Sequence, residues 1–240
     1  MTGEIIVNAQ DSYAVVKIAR PEKMNSVTKD MMESFYDSVS RVTNEPNIRA
    51  IIFTGEGVKS FSAGFDMDTI LSLKGQAKKD FFKLLERTMR LVHGNRTCIT
   101  VAAVNGYAIG FGAMLALACD FRIFSANALF RLPEIELSVF PGAGAASYLL
   151  QLVGPSRAKD ILMTTRKVSA KEAIQIGLAD MLVNQDEIME SSIGFVQELL
   201  KKDPKILIRT KTLIDGMTGK ELSEAEEVET VYLDEWLREL

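Results

Sequence analysis

The chain has 240 residues, 47% of them hydrophobic and 25% charged, with a formal net charge of −4 and a sequence pI near 5.3. No segment is both poor in apolar residues and highly charged, which excludes disorder, and no basic stripe marks a nucleic-acid binder. No apolar run reaches the ~18 residues of a membrane span. Residues 1–8 lack the basic-then-apolar pattern of a secretory signal, and Arg238-Glu239-Leu240 is not a peroxisomal address. A cytoplasmic protein without a membrane or nucleic-acid partner is expected.

Along the chain, Ile5 to Asn8 and Tyr13 to Ala19 are short β-branched runs separated by Gln10-Asp11-Ser12 and predict a hairpin. A polar loop, Arg20 to Ser26, follows. Thr28 is placed to cap a helix running to about Val42, with Met31, Met32, Phe35 and Val39 on one face. The unbroken apolar run Ala50 to Thr54 reads as a buried parallel strand. Lys78 to Val92 has helical spacing of Phe81, Phe82, Leu84, Leu85, Met89 and Leu91. Ile99 to Val104 reads as a strand, Gly110 to Ala118 as a helix of small and apolar residues, and Phe121 to Phe124 as another strand. Pro141-Gly142-Ala143-Gly144 opens a further helix. The last third predicts helices at Ser156 to Met163, Ser169 to Ile176, Glu187 to Lys202, Pro204 to Ile214 and Glu221 to Leu237. The layout is a β/α body followed by a helical C-terminal region.

Several chemistries are poorly supplied. Cys98 and Cys119 lie far apart in apolar stretches and read as reduced core residues. With one histidine, His93, and no Cys/His cluster, a zinc site of Cys and His is excluded and no metal is expected. A histidine-dependent nucleophile would rest on His93 alone, which stands before Gly94-Asn95 and reads as a helix-terminal surface residue.

Two strand-to-helix junctions are rich in small residues: Phe61-Ser62-Ala63-Gly64-Phe65-Asp66-Met67, and Asn105-Gly106-Tyr107-Ala108-Ile109-Gly110-Phe111-Gly112-Ala113-Met114. Glycine admits a ligand close to the backbone, and the first amides of a helix have no intrahelical acceptor. Two such ends facing each other would form an oxyanion hole. Asp66 is placed to cap the helix after Phe65.

These segments, with Arg20-Pro21-Glu22-Lys23-Met24-Asn25-Ser26 before them and Phe130-Arg131-Leu132-Pro133-Glu134 leading to Phe140-Pro141-Gly142-Ala143-Gly144 after them, resemble the enoyl-CoA hydratase/isomerase (crotonase) superfamily in family order. The similarity runs from about Ile5 to Ile214. The resemblance implies an α/β fold, a crotonase-like spiral of ββα turns with a C-terminal helical region. Residues 1–190 would form the core with its acyl-CoA site, and residues 191–240 a helical trimerisation region. It also implies a homotrimer or dimer of trimers, with coenzyme A only as part of the substrate and no other cofactor. The backbone N–H groups of Phe65 and Phe111 would hold the thioester oxygen. Arg20, Lys23, Met24 and Asn25, with Ser62, Ala63, Gly64 and Asp66, would line the coenzyme A groove, while Gly110 and Met114 would border the substrate.

Family hydratases use two carboxylates. One is present as Glu134, whereas Met114 occupies the position of the other and cannot exchange a proton. Glu136 ranks behind Glu134 because its offset of two points it elsewhere. A single carboxylate suffices to move a proton between C2 and C4 of an unsaturated acyl chain, so Δ3,Δ2-enoyl-CoA isomerisation is the expected activity. The alternatives are hydration at reduced efficiency, another enolate reaction such as decarboxylation or thioester hydrolysis, and an acyl-CoA-binding paralogue that has lost its chemistry.

Overall fold

A computed structural model describes residues 3–239 of the chain. Its elements, in chain order, are β1 (Glu4–Ala9), β2 (Tyr13–Ala19), α1 (Lys29–Thr43), β3 (Ala50–Gly55), β4 (Ser60–Ser62), α2 (Met67–Ser72), α3 (Gly75–His93), β5 (Ile99–Val104), β6 (Tyr107–Ile109) and α4 (Phe111–Ala118). They continue with β7 (Phe121–Ser125), β8 (Leu129–Arg131), α5 (Ala145–Thr164), β9 (Val168–Ser169), α6 (Ala170–Gln175), β10 (Met181–Val183), α7 (Ile188–Leu200), α8 (Pro204–Met217) and α9 (Leu222–Leu237).

A six-stranded sheet has the order β1-β2-β3-β5-β7-β10 and a smaller one the order β4-β6-β8-β9. Three successive ββα turns build both: β3, β5 and β7 enter the large sheet in parallel, and β4, β6 and β8 run parallel in the small one. Each turn therefore changes sheet just before its helix.

The long strands and helices follow the sequence pattern. Both β3 and β5 are buried along their whole length. Alternate residues serve two cores, as the two-residue period of a strand requires. Ile51, Phe53, Ala102 and Val104 face the main core. Ile52, Val101 and Ala103 face a second core closed by Ile188, Val196 and Leu200 of α7. Helix α1 starts where Thr28 accepts a hydrogen bond from Met31 N, and it buries Met31, Met32, Phe35 and Val39. Helix α3 begins one turn earlier than its apolar spacing indicates.

Two differences have simple causes. The strands β4, β6 and β8 have three residues each, too few to show a period, and their sequences read as turns. The two helices expected from Gly144 onward and from Ser156 form one element, α5, broken at Gly154 (φ 77°, ψ 169°) before Pro155. A proline disfavours helical backbone in the residue before it. Asp120, just after α4, joins two elements. Its Oδ2 accepts from Thr100 N at 2.7 Å and from Lys211 Nζ at 2.8 Å, pinning α8 to the large sheet. The division expected at 190/191 falls inside α7; its outer limits, residues 1 and 240, lie outside the described residues. Among the described residues no helix is long and apolar enough to cross a membrane.

Candidate active site

The loop between β2 and α1 is stitched to β4. Asn25 is fully buried in left-handed backbone (φ 56°), a conformation asparagine tolerates. Its Oδ1 accepts from Arg20 N at 2.9 Å, and its Nδ2 donates to Ser60 O at 2.6 Å and Glu56 O at 3.0 Å. Ser62 Oγ donates to Asn25 O at 2.8 Å, and Ala63 N donates to Met24 O at 2.9 Å. The side chains of Asn25 and Ser62 are thus consumed in holding the loop, and neither borders the cavity described below. Lys23 is exposed outside that cavity, and Ala63 lines it.

Beyond Ala63 the chain runs beside Val27. Val27 N donates to Gly64 O and Asp66 N donates to Val27 O, which uses the groups on either side of the Phe65 amide and fixes its plane. On the second junction, Gly110 N donates to Arg131 O and Met114 N to Gly110 O. Phe111 opens α4, so its N–H has no acceptor within the helix. Among the described residues neither the Phe65 nor the Phe111 amide has a protein acceptor.

The two turns touch. A Cβ on Gly64 (φ +93°) would lie 3.0 Å from Ile109 O, 3.6 Å from Phe111 N and 3.7 Å from Gly110 Cα. Only glycine combines that backbone angle with so close an approach. The Phe65 and Phe111 rings pack with centroids 5.3 Å apart, and Phe35 and Phe81 buttress them.

Both turns open into a cavity of about 900 Å³. Glu134 enters from the loop after β8. It is 6% exposed, its Oε1 stands 3.7 Å from the position of a Cβ on Gly110, and its Oε2 is buried without a hydrogen-bond partner. Burial pushes its carboxyl above the ordinary 4.5, because a low-polarity site disfavours the charged form. Met114 is 5% exposed and lines the same cavity. The other acid on the wall, Glu86, is exposed and held by Arg90 at 2.8 Å. Glu136 lies at the surface, where it accepts from Arg131 Nη2 at 2.6 Å and from the Thr165 hydroxyl.

Arg20 is engaged within the fold. Its Nη1 donates to Asp66 Oδ2 at 2.7 Å, with both side chains less than 15% exposed, and to Ser26 Oγ at 3.2 Å. Asp66 Oδ1 accepts from Thr69 N and caps α2 as expected. The Arg20 guanidinium holds the Asp66 carboxyl below its ordinary 3.8. A carboxylate with a depressed folded pKa stabilises above its unfolded value and loses that contribution as pH falls through the folded one. Arg20→Met is therefore expected to lower unfolding free energy by about 1–2 kcal/mol at neutral pH. The difference from wild type should shrink in urea titrations as pH falls below 3.8 and vanish only below the lower folded value.

His93 is half-buried at the end of α3, stacked on Tyr148 with centroids 4.1 Å apart, and burial lowers its pKa. It packs into the body more than a surface cap would. Both cysteines are buried and free. The sequence reading missed part of the cavity wall: Ile70 and Leu73 near α2, Lys78, Lys79 and Lys83 on α3, and Leu137 and Phe140 in the loop after Glu134. The lysines were detectable, since they flank Phe82 on the helical face that its spacing defined.

Sheet-switching ββα turns, two glycine turns in contact and a carboxyl beside them describe a crotonase-fold protein. An enoyl-CoA hydratase from Bacillus anthracis matches with a TM-score of 0.91 and 29% identity, covering 96% of this chain and 90% of that one. A Thermobifida fusca structure in complex with acetoacetyl-CoA matches with a TM-score of 0.87 and 27% identity over 98% and 95%. In sequence, the crotonyl-CoA hydratase of Syntrophomonas wolfei is 37% identical over 198 residues, 82% of this chain and 76% of that protein. The enoyl-CoA hydratase/isomerase family model matches residues 8–238. The chain belongs to the enoyl-CoA hydratase/isomerase family.

Proposed function

We propose that this protein binds an acyl-coenzyme A thioester and interconverts Δ3- and Δ2-enoyl groups through one carboxylate. The Phe65 and Phe111 amides donate to the thioester oxygen. Glu134 removes a proton from C2, the electron pair moves through the carbonyl to give a dienolate, and Glu134 returns the proton at C4. No atom is gained or lost. Negative charge develops on an oxygen already faced by two donors, and one such donor is typically worth ~10²–10³ in rate.

The observation that carries this reading is the inventory of the cavity. Glu134 is the acid there with a buried, unpartnered oxygen, and Met114, which the resemblance aligns with the second carboxylate of family hydratases, lines the same cavity. A base shielded from water and raised in pKa suits a proton shuttle near neutral pH. Hydration at a reduced rate is the second reading, favoured by the likeness to crotonyl-CoA hydratase. The apolar residues that α9 leaves exposed, among them Leu222, Leu233 and Leu237, support assembly as a homotrimer or dimer of trimers.

The deciding assay offers 3-enoyl-CoA and 2-enoyl-CoA substrates and separates conjugated product from 3-hydroxyacyl-CoA. Dominant hydration would sink the isomerase assignment, and binding of both without turnover would mark a protein that has lost its chemistry. Met114→Glu is expected to raise hydration by about 10²-fold by adding the missing carboxylate, the low end of the ~10²–10⁴ typical of a positioned acid or base. No gain in 3-hydroxyacyl-CoA would mean that residue 114 does not reach the reacting water.

A further inference from the structure

Three ammonium groups share the cavity with Glu134. Lys78, Lys79 and Lys83 of α3 line it, and at 100° per residue they fall within one ~140° arc that also carries Phe82 and Glu86. Among the described residues none of the three has an acid or hydrogen-bond acceptor as partner. The nearby acids are already engaged: Asp80 accepts from Gln76 Nε2 at 2.8 Å, and Glu86 is gripped by Arg90 Nε and Nη2 at 3.1 and 2.8 Å. Among the described residues Glu134 makes no ion pair with any of the three. One wall of a mainly apolar cavity thus carries three positive charges without a partner among the described residues, with Ile70, Leu73 and Phe82 beside them. Lysine stems can lie along such apolar surface while their heads reach an anion.

We infer that this wall recognises an anionic group, the terminal carboxylate of the acyl chain, so that the preferred substrates are acyl thioesters of dicarboxylic acids. The inference rests on the acyl-CoA reading above and narrows its substrate class. A methyl-terminated chain would satisfy the apolar residues but leave the ammonium groups without a partner. A phosphate of coenzyme A is the other anion such a wall could meet. Of the residues expected at the coenzyme A groove, Arg20, Lys23, Met24 and Asn25 contribute nothing to this cavity, and Ala63 and Gly64 reach it at the glycine turn rather than on α3, which favours the acyl end.

The test compares glutaryl-CoA with pentanoyl-CoA, matched in carbon number, by calorimetric titration, alongside free coenzyme A. Wild type is expected to bind glutaryl-CoA about tenfold more tightly, from three exposed pairs worth roughly two- to threefold each. The preference should shrink in ~0.5 M salt, where exposed charges are screened. The triple variant Lys78→Met, Lys79→Met, Lys83→Met should bind both thioesters equally, with pentanoyl-CoA affinity unchanged. Equal affinities in wild type would overturn the proposal. So would a variant that weakens glutaryl-CoA, pentanoyl-CoA and free coenzyme A alike, which would assign the lysines to phosphate. Salt dependence of the wild-type preference needs no variant and stands if the triple substitution impairs folding. Failure to bind any of the three ligands would instead remove the acyl-CoA reading itself.

Discussion

Glu134→Gln is expected to reduce turnover of a 3-enoyl-CoA by about 10²–10⁴-fold, the usual contribution of a positioned acid or base, with little change in thioester affinity. The amide is nearly isosteric and cannot carry the proton. In wild type, kcat/KM should rise with pH as Glu134 ionises. Burial raises the pKa, so the acid limb should lie above 4.5, the ordinary glutamate value. Stability should move the opposite way. Between 4.5 and the higher folded pKa the native state binds more protons than the unfolded chain, so stability falls as pH rises through this window. Glu134→Gln removes that penalty. The variant should be more stable than wild type by about 1 kcal/mol at neutral pH, on the scale of a buried unpaired polar group, and no more stable below pH 4.5. An inactive, stabilised variant would locate the function in a group that the fold tolerates at a cost. Full activity in the variant would remove Glu134 from the mechanism.

Gly112→Ala is expected to damage both activity and stability, although it adds one methyl group. A Cβ at residue 112 would stand 2.5 Å from Ser62 O and 2.9 Å from Ser62 Cβ, and Ser62 is anchored to Asn25. The obstacle is backbone and cannot swing away, so α4 and the Ser62–Phe65 segment must separate. Overpacking of this kind costs about 1–3 kcal/mol. A displacement near 1 Å between the two donor amides is enough for a ~10²-fold loss of rate. Thermal unfolding and kcat measured together would check this. Wild-type kcat at a lowered Tm would mean that the two amides do not act as a pair.

Elements long enough to show a period were legible in the chain. The apolar runs of β3 and β5, the stripe of α1 with its Thr28 cap, the Asp66 cap and the small residues of both glycine turns each need only neighbours within a few positions. The three-residue strands were not legible, because their pairing is set by segments distant in sequence. The roles of Arg20 and Asn25 were likewise hidden. A polar loop residue reads as a ligand contact until its partners appear, and here those partners are Asp66, Ser60 and Glu56.

The sequence by itself marked the two glycine turns, which are local facts of residue type, and its resemblance to the family pointed to the Phe65 and Phe111 amides and to Glu134. Only the tertiary structure decided that Gly64 and Gly110 lie in contact, that Glu134 is buried beside them, and that three α3 lysines share its cavity. Those relations are fixed by the parallel packing of successive ββα turns, whose contacts join residues that no local pattern connects.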